Sequence, residues 1–337
     1  MIKIVWKITL LTYLILDLTD RKGKDMENNT EVKETGIKQY FAGKTIPQII
    51  FGSAIWACIL AYVLFVVGQT GMYLVLALIG HAANLTSDVW QTAIVYFCFF
   101  GAWITFFLNA LLKKNRPLFK AYGTGLKGNR IPELLIGLVI GFFMNGILIV
   151  FAMMHGDIHL YFDRFDFLSF LILFVAVFIQ CAAEEIMCRG FIYHRVLRTY
   201  RGQYLLAALV NGVFFGLVHI TNNGATPTAI IYIIVCGIQY SAMVYYFDSV
   251  WMAMGAHAGW NFTQSILAGL PNSGNVFPYS IFRLDVATAT DSFFYNVGFG
   301  VESTVPAIIM GIMLTAVIVV IGRKMKREHT DIWEGAE

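Results

Sequence analysis

The stretch Phe167-Leu-Ser-Phe-Leu-Ile-Leu-Phe-Val-Ala-Val-Phe-Ile-Gln-Cys-Ala-Ala183 contains no charged residue, and the two residues after it are Glu184 and Glu185. An apolar run of this kind approaches the roughly 20 residues that an α-helix needs to cross the hydrocarbon of a bilayer. A helix is the natural conformation there, because it satisfies every backbone N–H and C=O within the segment. Comparable runs recur along the chain. The pattern predicts spanning helices near 48–70, 90–112, 133–154, 167–187, 203–219, 228–247, 250–269 and 304–322. Segment 71–85 is also apolar but short, and either extends the first helix or lies at the interface. The chain has 337 residues, 58% apolar and 13% charged. Soluble domains run near 45–50% apolar and about 25% charged. The expectation is an all-α polytopic membrane protein of about eight transmembrane helices, with the lipid bilayer as its solvent.

The net charge of +3 is small and sits in connections, so it bears on orientation and gives no reason to expect a nucleic-acid partner. Connection 113–130 carries Lys113, Lys114, Arg116, Lys120, Lys127 and Arg130. Connection 188–202 carries Arg189, Arg195, Arg198 and Arg201, and the tail begins Arg323-Lys-Met-Lys-Arg327. The alternate connections hold little beyond Arg164 and Arg283. Basic loops stay on the cytoplasmic side, so both termini are expected there, in a multi-pass protein of the cell membrane. The division read from the chain is an N-terminal segment 1–46, a membrane domain 47–322 and a basic cytoplasmic tail 323–337. Within the first, Ile8–Leu16 is too short to span, and is either an interfacial helix or part of a start upstream of Met26 that is not native. Residues 21–46 are polar and read as flexible. The five cysteines lie in or beside apolar runs without metal-ligand spacing and are expected to pack as small apolar side chains.

Ionisable groups inside a spanning helix cost about 2.5–3.5 kcal/mol each at its centre on insertion scales, so each needs a reason. They cluster in three helices. Glu185 and Arg189 are four residues apart, acid first, the favourable order for an ion pair on one helix face. Glu184 is rotated about 100° away and is not neutralised in the same way. Phe215 and His219 share a face of the next helix, and His257 and Asn261 share a face of a third, with Gly255, Ala256, Ala258 and Gly259 around the histidine. Taken singly, each has a plain explanation: acids at a wet helix end, a structural histidine, a His–Asn bridge between helices. Together, one unpaired carboxylate, two imidazoles and a carboxamide supply a base, a proton shuttle and oxyanion donors for a water-activating hydrolase. No nucleophile-elbow serine and no His-Glu-x-x-His helix is present.

Glu-Glu-x-x-x-Arg at 184–189, Phe-x-x-x-His at 215–219 and His-x-x-x-Asn at 257–261, in that order on separate helices, resemble the signature of the CAAX-protease and bacteriocin-processing family, also called the Abi family. That family includes the type II CAAX prenyl endopeptidases. The resemblance covers about 165–265. It implies an eight-helix, glutamate-dependent intramembrane endopeptidase acting on a membrane-associated peptide or protein. By that analogy Glu184 and His219 activate water, His257 and Asn261 form the oxyanion site, and Glu185, Arg189 and Phe215 support it structurally, with no cofactor required. Bacterial members are associated with peptide processing and with self-immunity to bacteriocins.

Counted along straight helices, Glu184 and His257 fall in the cytoplasmic half and His219 near the outer end of its helix. The four converge only if that helix is tilted, short or displaced. Two other readings stay open. Glu184, His219 and His257 could hold a catalytic Zn²⁺ with water as the fourth ligand. The chain could also be a transporter or a non-catalytic membrane scaffold, including a bacteriocin-immunity factor, since intramembrane acids and histidines mark proton relays too. No internal repeat of the transporter kind is visible. His155, Asp157 and His159 read as solvated loop residues, the Gly137/Gly141 pair as packing, and 271–303 as a lid or an irregular connection.

Overall fold

The computed structural model describes residues 52–200 and 203–335. The readings made for residues 1–46 lie outside them. Helix α1 is Ala54–Ala82, so the apolar segment after residue 70 extends the first helix. Helices α2 (Asp88–Phe97) and α3 (Phe100–Leu111) form one crossing, interrupted at Cys98 and Phe99. The short α4 (Leu118–Tyr122) precedes α5 (Ile131–His155). Helix α6 (Phe167–Glu185) runs through a π-helical turn, Ile186–Ile192, into α7 (Tyr193–Thr199). Then follow α8 (Tyr204–Val218), α9 (Pro227–Phe247), α10 (Val250–Phe262) with its own π-turn Thr263–Leu267, and α11 (Val305–Met325).

The architecture is that of an all-α polytopic membrane protein. Six helical stretches are long and apolar enough to cross a membrane: α1, α2–α3, α5, α6–α7, α9 and α11. Helix α8 is apolar but has only 15 residues, about 22 Å at 1.5 Å per residue, and α10 has only 13, so among the described residues six of the eight expected spans are long and apolar enough to cross. Several starts are set by side-chain caps. Ser53, Ser87, Asp166, Thr226, Ser249 and Thr304 each accept a hydrogen bond from a backbone N–H of the first turn, which satisfies a donor that the helix cannot satisfy itself.

The stretch 188–202, read from its arginines as a cytoplasmic loop, is helical as far as Thr199. Arg189 is fully buried and paired with Glu185, so its charge does not end the span. Arg195 donates to Asn115 Oδ1 and Arg198 to the Lys114 carbonyl, which ties this helical end to the connection after α3.

Helix α10, which carries His257 and Asn261, packs closely on α5. A Cβ placed on Gly141 would lie 2.0 Å from the Ala256 carbonyl oxygen, and one on Gly255 would lie 2.2 Å from that of Leu134. Gly137 and Gly141 on α5 and Gly255 and Gly259 on α10 therefore let the backbones touch, as in other membrane helix pairs. Gly212 sits likewise against the Ile234 carbonyl and Ile238 of α9.

The connection between α10 and α11 is an ordered cap. Its strand β2 (Phe282–Leu284) pairs antiparallel with β1 (Leu160–Phe162), Tyr161 opposite Arg283. Asp157, expected to be solvated, is buried instead. It accepts from Ser292 Oγ at 2.5 Å and contacts His155 Nδ1 at 2.9 Å, while its carbonyl accepts from Thr290 N. His155 and His159 stay exposed, as expected, so the cap takes up Asp157 alone of the three. At the opposite end the residues after α11 dock: Arg327 on Glu133 and the Phe247 carbonyl, Thr330 on Asp248, and Trp333 Nε1 on the His194 carbonyl. All five cysteines are free, and Cys98, Cys181, Cys188 and Cys236 are buried among apolar helices.

Candidate functional site

Helix α6 and the π-turn after it bring Gln180, Glu184, Glu185 and Arg189 into the protein, while the exposed side of α6 is given to Leu168, Leu171 and Val175. Arg189 Nη1 donates to Glu185 Oε1 at 3.0 Å, as the four-residue spacing predicts, and Nη2 donates to the Gly237 carbonyl at 3.1 Å. The guanidinium lies 4.9 Å from the ring centre of Phe215 and 5.2 Å from that of Tyr240. Aromatic faces, a carboxylate and a carbonyl replace the water that a buried cation has lost. A Cβ on Gly237 would lie 3.4 Å from Arg189 Nη2, so a small residue there gives the arginine its room.

The same oxygen, Glu185 Oε1, accepts from His257 Nδ1 at 3.0 Å. This places the proton on Nδ1 and turns Nε2 toward Asn261 Nδ2, 3.4 Å away, and Glu184 Oε2, 3.7 Å away. Glu184 Oε1 accepts from Gln180 Nε2 at 2.5 Å, and Oε2 has no hydrogen-bond partner. Gln180 Oε1 in turn accepts from Asn261 Nδ2 at 3.1 Å. Sequence reading passed over Gln180, although a lone carboxamide one turn before Glu184 in an apolar helix was a signal of the same kind as the histidines.

His219 caps the C-terminal end of α8, its Nδ1 donating to the Phe215 carbonyl at 2.7 Å and its ring 4.8 Å from that of Phe215. The depth discrepancy resolves through chain geometry. Glu184 lies 15 residues before Thr199, where the descending helix ends, and His219 lies 15 residues after Tyr204, where α8 starts back. Antiparallel helices measured from one turn bring those two residues to the same level, roughly 22 Å from it. Beyond α6 the helical run continues through the π-turn and α7 to Thr199, and α8 is short.

Glu184, His219, His257 and Asn261 accordingly line one cavity of about 340 Å³, together with Gln180 and Phe215. Its further walls are Tyr62, Phe65, Val66 and Gln69 of α1, Tyr96 of α2 and, from the cap, Asn272, Ser273, Asn275 and Phe277. The cap therefore forms part of the site. Among the described residues no three His, Cys, Asp or Glu side chains gather as a metal-holding group, so Glu184, His219 and His257 do not stand as a ready zinc ligand set.

Residues 166–263 match the family model described as Type II CAAX prenyl endopeptidase Rce1-like. Over this segment the chain is similar to the type II CAAX prenyl endopeptidases. The match holds all three motifs and the helices α6 to α10 that carry them, and it implies a peptidase of the CAAX-type intramembrane class. No curated protein and no solved structure matches the chain.

Proposed function

We propose that this chain is a glutamate-dependent intramembrane endopeptidase that hydrolyses a peptide bond of a membrane-associated peptide or protein. The observation that carries the reading is the single cavity in which the unpartnered Oε2 of Glu184 meets His219, His257 and Asn261. Glu184 takes a proton from water as the water oxygen adds to the scissile carbonyl carbon. With Nδ1–H committed to the Phe215 carbonyl, His219 in its neutral form presents Nε2 as an acceptor that orients the same water. The carbonyl oxygen becomes an oxyanion. Asn261 Nδ2 supplies a donor to it, since one of its two N–H bonds is spent on Gln180 and the other makes only the long 3.4 Å contact to His257. For His257 to donate as well, Nε2 must also carry a proton, Nδ1 being held by Glu185. Collapse of the tetrahedral intermediate breaks the C–N bond, and the proton held by Glu184 passes to the leaving amine.

Walls built from Tyr62, Phe65, Val66, Tyr96 and Phe277 favour a substrate that is apolar beside its scissile bond. The test compares the peptides in membranes of cells that express the wild type with those expressing Glu184→Gln at equal folded yield. One or more precursors should accumulate uncut in the variant. Matching peptide profiles, with both proteins folded and abundant, would overturn the reading.

A further inference from the structure

From the bridge that Gln180 makes between α6 and α10, we infer that it is a positioning residue that fixes the base and the oxyanion donor relative to each other. Its Nε2 donates to Glu184 Oε1 at 2.5 Å, and its Oε1 accepts from Asn261 Nδ2 at 3.1 Å and from Cys181 Sγ at 3.1 Å. The side chain is buried and lines the cavity. The inference rests on the roles proposed above for Glu184 and Asn261.

The direction of the bridge follows from its chemistry. An ionised carboxylate only accepts, so the Gln180 amide nitrogen must face Glu184. Its oxygen then faces Asn261, which must answer with N–H₂ and not with its own oxygen. A reversed Gln180 would set oxygen against carboxylate oxygen and N–H against N–H. One carboxamide thereby orients a second, and holds the Asn261 donor toward the cavity before any substrate arrives. It also occupies Glu184 Oε1, so that Oε2 is the oxygen left for water. His257 Nε2 also lies between the two, at the longer distances of 3.4 Å from Asn261 Nδ2 and 3.7 Å from Glu184 Oε2. Preorganisation of this kind is what makes an oxyanion donor effective, because no reorientation is needed as charge develops.

The experiment reads Glu184 itself and needs no substrate. The purified full chain in detergent is treated with dicyclohexylcarbodiimide, an apolar reagent that modifies protonated carboxyls, and the modified fraction of Glu184 is followed by peptide mass spectrometry over a pH series. Glu185, also buried and adjacent in sequence, is the internal control for general opening of the site. Gln180→Leu removes the donor to the carboxylate, and a hydrogen bond to a charged group is strong enough that labelling of Glu184 near neutral pH should rise at least about threefold. Labelling of Glu185 should stay flat. Gln180→Glu, which replaces the donor by a second carboxyl, should raise Glu184 labelling further. If Leu proves too disruptive to fold, Gln180→Met gives the same loss of donor with an unbranched side chain. Unchanged Glu184 labelling in a folded Leu or Met variant would overturn the assignment, and so would equal increases at Glu184 and Glu185, which mark a loosened site. The outcome is separate from that of the protease reading, since uncut precursors are scored on Glu184→Gln and carbodiimide labelling on Gln180.

Discussion

Glu185 and His257 are joined by a 3.0 Å hydrogen bond from α10 to α6, on the same carboxylate oxygen that accepts from Arg189. An acid whose spacing marks it as half of an ion pair thus also sets the tautomer and tilt of an imidazole in the cavity. Removing either charged partner leaves the other buried and uncompensated, at a cost of about 3–5 kcal/mol. Glu185→Ala and Arg189→Ala should each lower the thermal midpoint in detergent sharply, whereas Glu184→Gln, which leaves this pair intact, should melt close to wild type. Equal melting of all three would show that the buried Glu185–Arg189 pair is not what stabilises the fold.

Asn261 is proposed to act on developing charge alone. Its replacement by Ala should lower kcat by about 10²–10³-fold while KM stays nearly constant. Asn261→Asp should be at least as damaging, because its oxygen would face Gln180 Oε1 where a donor now stands. The assay is cleavage of a quenched peptide spanning the junction left uncut in Glu184→Gln cells. A variant that loses only binding would leave Asn261 as a packing residue.

The contact of α5 with α10 sets where His257 sits, and it is steep in side-chain volume. Gly141→Ala would place a methyl 2.0 Å from the Ala256 carbonyl, so the helices must part. Gly146→Ala, five residues along the same helix with nothing within 4 Å, is the matched control. The first should reduce folded yield and activity together and the second neither, as read by size-exclusion profile and peptide cleavage. Indifference to Gly141→Ala would mean that α10 is free to shift without loss.

Glu302 lies in the cap, outside the spanning helices, and accepts from the backbone N–H of Ser273 and from Gln264 Nε2. Burial pushes its carboxyl up to about 7, with Ser273 and His257 opposing. The folded state therefore holds a proton that the unfolded chain has released. Stability from this group is complete below about pH 4.5 and is lost as pH rises through about 7, by roughly 3 kcal/mol in all. Melting curves between pH 5 and 8 should fall for the wild type relative to Glu302→Gln. Parallel curves would place the carboxyl in its ordinary range.

The basic connections supply a topology that labelling can test. Single cysteines introduced at Lys120 and Lys326 should be reached by membrane-impermeant maleimide only after lysis, and one at the exposed Val286 of the cap should be labelled in intact cells. Labelling of position 120 or 326 from outside would reverse the orientation. In the structure Arg164 and Arg283, on the cap side, are both tied to Asp163, and the carboxylate is held below its usual range by those two guanidinium groups.

Much of this was legible in the chain, for reasons that differ by residue. The apolar runs gave the helices because the bilayer imposes both length and composition. Glu185 and Arg189 could be paired because four residues return to one helix face. What failed was the assumption that arginine ends a span. Arg189 is fully buried, and counting it with Arg195 and Arg198 cut α6 short and left His219 at the wrong depth. The contacts of Glu185 with His257 and of Gln180 with Asn261 join α6 to α10 across the fold, and no local spacing encodes them. Asp157 misled in the opposite sense, since a polar residue in a loop is buried when a second loop supplies its hydrogen bonds.

The π-turn at Ile186–Ile192 has a further meaning for how such a chain can change. A π-turn accommodates more residues per turn than the α-helix around it. Deleting one residue beyond Arg189 would give a smoother backbone and leave the Glu185–Arg189 pair untouched. It would also swing everything downstream by about 100°, turning Arg195 away from Asn115 and Arg198 away from Lys114 and Trp333. The irregular turn acts as a phase shifter between two halves of one helix, one aligned to the cavity and the other to the surface on which the tail folds. Length variation should be rejected inside this turn.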